Sequence, residues 1–261
     1  MHSIRLAFLG QCFVFGYRGV PRHQTYPEIV KRRIEAARPG IRVVVAPRGF
    51  YHPAELHEVL LRTVRSVQPH AVIVDAAANT LVNECEAVDV AMLPKPIGAL
   101  VQQARHVREV SKGVIQTHLL VRPLLHVVET VGRTLVDGPL HRVVHRHGRP
   151  TLTEYERALE DAIVFLKESR GPALVLQGPS AFNPDESDKL YASNAPDVYR
   201  LANAVVRRLA ATHGVLLVDR MAVVDGCRRS VFLDGHLRLS SLGHEMLGHT
   251  LAEALLRSGL I

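Results

Sequence analysis

The sequence predicts an α/β protein, a three-layer αβα sandwich on a five-stranded parallel sheet. Two observations lead there. Short apolar runs recur through residues 1–82 and 151–261, and stretches with apolar residues three and four apart lie between them. Strands joined through helices need right-handed crossovers, which place helices on both faces of a parallel sheet. The 261 residues, 47% of them hydrophobic, suit one large domain with a full core, or such a domain carrying an insertion.

The elements follow in order. Ile4 to Leu9 reads as the first strand, and Gly10-Gln11-Cys12 follows it. Pro27–Ala37 has helical periodicity, Ile41–Ala46 is the second strand, and Pro53–Val67 the second helix. Ala71–Val74 is a short buried strand leading to Ala77-Ala78-Asn79-Thr80. From about Asn83 to Pro150 no strand signal interrupts helical or buried patterns at Leu100–Val110 and Leu119–Leu135. That stretch, 83–150, is expected to be a mainly helical insertion, a cap or a partner surface within the single domain. Its run of Leu119, Leu120, Val121, Leu124, Leu125, Val127 and Val128 needs burial. The alternation then resumes with helix Thr153–Glu168, strand Ala173–Gln177, helix Val198–His213 and strand Val215–Val218. A last helix, Glu245 to Leu256, follows Gly243. In such a sheet ligands bind beyond the C-terminal strand ends, so Cys12, Gly49, Asn79 and Gly178-Pro-Ser180 are expected on one rim.

Composition narrows the function classes. Mean hydropathy is +0.08, and no apolar run approaches the roughly 20 residues of a spanning helix, so no membrane role is expected. The chain passes from Met1-His-Ser directly into a strand, without the signature of a signal peptide. Cys12, Cys85 and Cys227 are an odd number at wide spacing, which argues for a reducing cytoplasm rather than a disulfide framework. The net charge is +7, yet aromatic residues are 5% and no nucleic-acid motif appears, so no nucleic-acid partner is expected. A basic surface of this kind suits an anionic substrate or an acidic protein. No Gly-rich dinucleotide or phosphate loop follows the first strand, and no cofactor is expected. His141, His145 and His147 have spacing suited to a metal but no local carboxylate or cysteine, and they read as a solvated basic helix end. No metal site is expected.

The run Phe232-Leu-Asp-Gly-His-Leu-Arg-Leu-Ser-Ser-Leu-Gly-His244 places Asp234 and His236 in a loop before the final helix. With Gly10-Gln11-Cys12 after the first strand, Pro47-Arg48-Gly49 after the second and Ala77-Ala78-Asn79-Thr80 after the third, this order resembles the SGNH (GDSL-type) esterases and acyltransferases. There the nucleophile follows the first strand and the Asp and His of a triad precede the last helix. The resemblance covers roughly 1–82 and 151–261 and implies an SGNH/flavodoxin-like sandwich with cysteine where the family has serine. Cys12 would be the nucleophile, His236 the base and Asp234 its orienting partner. Gly49 and Asn79 would serve the oxyanion hole, with Gln11 and Ser180 contacting substrate. This chain departs from the pattern in three ways. Asp234-Gly-His236 is one residue shorter than Asp-x-x-His, the family's usual distance from Gly243 reaches Arg238, and the third block lacks its Gly and Asp.

Chemically, a thiol at a helix start near an imidazole is favoured as thiolate. Gln11 brings no negative charge to oppose it. The implied function is hydrolysis or transfer of an acyl group from an ester or thioester, free or delivered on an acidic carrier protein. The alternative is a repurposed member of the fold, a small-molecule-binding module or one subunit of a heteromeric enzyme, with 83–150 as its interface. Cys12 as a small buried hydrophobe fits that second reading. His244 and His249, on the last helix, read as structural.

Overall fold

Five apolar runs form one parallel sheet in the computed structural model. It describes residues 2–11, 14–15, 20–50, 52–78, 81, 150–180, 195–224, 227, 231 and 239–261. The strands are β1 (His2–Gly10), β2 (Ile41–Gly49), β3 (Ala71–Asp75), β4 (Ala173–Gln177) and β5 (Leu216–Val218). Their order is β2-β1-β3-β4-β5, and each adjacent pair is parallel. The chain leaves β1 outward to β2 and returns to β3 on the other side, so the topological switch point lies between β1 and β3. In open α/β sheets that is where the ligand crevice forms. The expected insertion lies outside the described residues except for Pro150.

Side-chain alternation divides the sheet between two helical layers. Leu6, Phe8, Ile73 and Val175 face α1 (Tyr26–Ala37) and the last helix, α6 (Ser241–Ser258), which pack together. Their core partners include Val30 and Ile34 of α1 and Leu247, Leu251 and Leu255 of α6. Each such fully buried side chain contributes roughly 1.5–3 kcal/mol. Ala7, Leu9, Val72, Val74 and Leu176, of opposite parity, are also fully buried. The second layer holds α2 (Leu56–Val67), α3 (Leu152–Glu168) and α4 (Ala195–His213), with α3 packed between the other two.

Several boundaries differ from the sequence reading, each for a local reason. β2 runs three residues past Ala46, because its rungs against β1 continue to Gly10↔Gly49. Pro47 is tolerated there because β2 is an edge strand. Residues Pro53–Glu55 form a 3-10 turn before α2. In it the His52 ring accepts from the Ala54 amide and Glu55 accepts from the His52 amide. α3 starts one residue early because Thr151 and Glu154 make a reciprocal capping box. Ser240 caps α6 by accepting from the Gly243 amide at 3.2 Å, so that helix begins four residues before Glu245. A short helix α5 (Arg220–Val224), which the sequence reading does not contain, follows β5.

Candidate active site

The register sets a single row across the C-terminal end of the sheet. Gly49 pairs with Gly10, Asp75 with Gln177 and Gln177 with Val218. Gly10 completes the row, since a Cβ on it would lie 2.6 Å from the Asp75 Cβ. Only glycine allows that approach. Gln11, Phe50, Ala76, Gly178 and Asp219 come next on their strands, so the ends of all five strands open on one edge.

The expected site residues divide in two. Gln11, buried at 5% exposure, Gly49, and Ser180, buried at 4%, sit at the ends of β1, β2 and β4 on this edge. Cys12, Asn79, Asp234 and His236 lie outside the described residues, as does Arg238. Of the cysteines, Cys227 is described and is exposed. Gly49 is the last rung of β2 rather than part of the following turn. The Phe50 amide donates to the Gly10 carbonyl at 3.2 Å. Consecutive strand amides point to opposite sides, so the Gly49 N–H faces away from β1.

A buried polar layer beneath this edge escaped the sequence reading. Asp75 is fully buried, and its Oδ1 accepts from Nη2 of Arg220, which is 1% exposed. The same guanidinium donates through Nε to the Gly178 carbonyl at 2.6 Å. One cation therefore ties the exit of β3 to the exit of β4. Burial raises the Asp75 carboxyl above the usual range, and Arg220 pulls it back. Tyr26, buried at the start of α1, is raised by the same burial, with Asp75 adding to the effect. Asp75 Oδ2, the Tyr26 hydroxyl and both amide atoms of Gln177 have no hydrogen-bond partner among the described residues. The signals were present in the sequence: Asp75 ends an otherwise apolar Ala-Val-Ile-Val run, and Arg220 directly follows Val218-Asp219.

On the α1–α6 side, His244 accepts the Tyr26 amide proton through Nδ1 at 3.2 Å. Its ring stacks on Tyr26 with centroids 6.0 Å apart, and burial lowers its pKa to about 4. It is a neutral structural acceptor. Asp219, at the exit of β5, accepts from Arg207 at 2.7 Å and from the Ala222 amide at 3.3 Å, which anchors α5. Among the described residues no group of three or more His, Cys, Asp or Glu is arranged to hold a metal. Nor is any helix among them long and apolar enough to cross a membrane.

The parallel five-stranded sandwich, with its edge of strand-end loops, is the fold of the SGNH-type α/β hydrolases. Three solved structures carry the comparison. A protein assigned to the lipolytic G-D-S-L family from Desulfitobacterium hafniense superposes with a TM-score of 0.56 at 12% identity, over 96% of this chain and 99% of its own. A lipase/acylhydrolase from Enterococcus faecalis gives 0.57 at 13%, over 98% and 96%. The acetylxylan esterase Axe2 from Geobacillus stearothermophilus gives 0.59 at 16%, over 97% and 95%. At these identities the likeness is one of fold. The sequence matches no family profile and no curated protein.

Proposed function

We propose that the protein is an SGNH-type enzyme that hydrolyses or transfers an acyl group held as an ester or thioester, with Cys12 as nucleophile. The observation that carries this reading is the placement of Gln11, the residue before Cys12, at the C-terminal end of β1, beside the switch point between β1 and β3. The fold likeness to esterases and lipases supports it.

In the proposed reaction the Cys12 thiolate attacks the acyl carbonyl, forming a C–S bond and a tetrahedral oxyanion. The Cys12 amide and the Asn79 side chain hold that oxyanion. Gly49, whose amide is turned away from β1, serves the site by carrying no side chain beneath the ring of Phe15, which a Cβ would approach to 3.2 Å. Collapse expels the alkoxide or thiolate leaving group, protonated by His236, and leaves an acyl-Cys12 thioester. His236, oriented by Asp234, then takes a proton from water or an acceptor alcohol, which attacks the thioester and returns the thiolate. Ser180 contacts the substrate from the β4 side. The basic surface suits an acyl group carried by an acidic protein, with 83–150 as the docking surface, in a reducing cytoplasm.

Intact-mass analysis after mixing with p-nitrophenyl acetate tests this. The expected result is one acetyl adduct, located on Cys12 and lost in Cys12→Ala, with the far-UV spectrum unchanged. Iodoacetamide should label Cys12 faster than Cys85 or Cys227. Turnover that survives Cys12→Ala overturns the covalent mechanism. Slow, uniform labelling without any adduct favours the repurposed binding subunit.

A further inference from the structure

We infer that the acyl site of this enzyme takes an acetyl-sized group and excludes longer chains, an inference that rests on the function proposed above. A small cavity opens between the exits of β1 and β3, bounded by Gln11 on one side and Ala77 on the other. Its room is about that of one water molecule. The space exists because Ala76, Ala77 and Ala158 contribute only methyl groups. Phe50, Leu56, Tyr155 and Leu159 close it, and all four are buried.

The position fits the acyl substituent. In the tetrahedral adduct one carbon carries the sulfur, the oxyanion and the acyl chain, so the chain must lie beside both the nucleophile and the oxyanion donors. Gln11 immediately precedes Cys12, and Ala77 lies two residues before Asn79. The cavity therefore lies between the two segments that would carry those groups. Its walls resist expansion. Tyr155 is held by its hydroxyl, which donates to the Ala76 carbonyl at 2.6 Å. Leu56 and Leu159 belong to α2 and α3, which pack on each other, and close-packed interiors yield little to an added methylene. Gln11 and Asp75 are the polar members of an otherwise mostly apolar lining, which favours an alkyl group over an anionic one.

The test is a chain-length series of p-nitrophenyl acetate, butyrate, hexanoate and octanoate. It is run on the wild type and on Leu159→Ala, with Leu159→Val in parallel in case the larger truncation fails to fold. An alkyl pocket discriminates about 10- to 200-fold per methylene, so kcat/KM should fall at least about 100-fold from acetate to butyrate, two methylenes longer, in the wild type. In the truncated variants the hexanoate-to-acetate ratio should rise about 10-fold or more. A wild-type profile that is flat or rises with chain length overturns the inference and leaves the esterase reading standing. A folded variant whose ratio is unchanged also overturns it. Absence of turnover at every length, with no acyl-Cys12 adduct, overturns the esterase reading and this inference together.

Discussion

Replacing Gly243 by alanine puts a single methyl group where the structure leaves no space, at the base of the segment that carries Asp234 and His236. A Cβ at this position would lie 2.3 Å from the Val231 carbonyl oxygen and 2.9 Å from Leu239 Cδ2. The carbonyl is not free to retreat, since it accepts the Ser240 amide proton at 2.8 Å. Ser240 in turn caps α6 through the Gly243 amide. Relief requires a shift of roughly 1 Å, at an overpacking cost of about 1–3 kcal/mol. Loosening the cap adds about 1 kcal/mol. Against this, glycine to alanine inside a helix gains about 1 kcal/mol. The net expectation is a loss of about 1–3 kcal/mol, opposite in sign to what helix propensity alone gives. Urea unfolding followed by far-UV circular dichroism reads the difference. Turnover, assayed where both proteins are fully folded, should also fall, since Val231 and Ser240 flank residues 232–238. A Gly243→Ala protein as stable as the wild type, or more so, refutes the reasoning.

His244 gives a pH signature. Its folded-state pKa of about 4 lies below the ordinary 6.5, so the unfolded chain binds the additional proton. Its contribution is complete above pH 6.5 and is lost as pH falls towards 4, about 3 kcal/mol in all. His244→Asn keeps an acceptor for the Tyr26 amide and should flatten stability between those pH values; equal slopes in the two proteins count against this assignment. Arg220→Met leaves the Asp75 carboxylate buried without its cation and should lose about 3–5 kcal/mol, while adding Asp75→Leu should recover much of it. Chemical denaturation of the two single variants and the double variant checks this, and strictly additive losses refute the coupling.

Much of the fold was legible because its information is local. Ile4–Leu9, Ala71–Val74 and Ala173–Gln177 are mostly apolar runs that favour burial, and the helical periods between them fix the crossovers and hence the parallel sheet. The reach of β2 through Pro47 to Gly49 was not legible, because it comes from pairing with β1 rather than from its own composition. The strand-end positions of Gln11, Gly49 and Ser180 were legible, because chain order alone places them. The direction of the Gly49 amide was not, because it depends on which neighbour Phe50 bonds.

The pairing of Asp75 with Arg220 was the least accessible to sequence reasoning, since the partners are 145 residues apart and neither local signal points to the other. A buried ion pair is a poor source of stability, for a well-packed apolar pair in its place is often neutral or better. Its contribution is better sought in geometry. Arg220 holds the Asp75 carboxylate with one nitrogen and the Gly178 carbonyl with another, and Asp75 is packed against Gly10. Three strand exits, those of β1, β3 and β4, are thus fixed to one another through two side chains. They are the exits from which Cys12, Asn79 and Ser180 follow. An apolar pair of equal volume would fill the space but would offer no directed bond to the Gly178 carbonyl. The backbone rungs up to Asp75 and Gln177 would remain, but the Gly178 carbonyl, one residue beyond them, would lose its side-chain tie to the exit of β3.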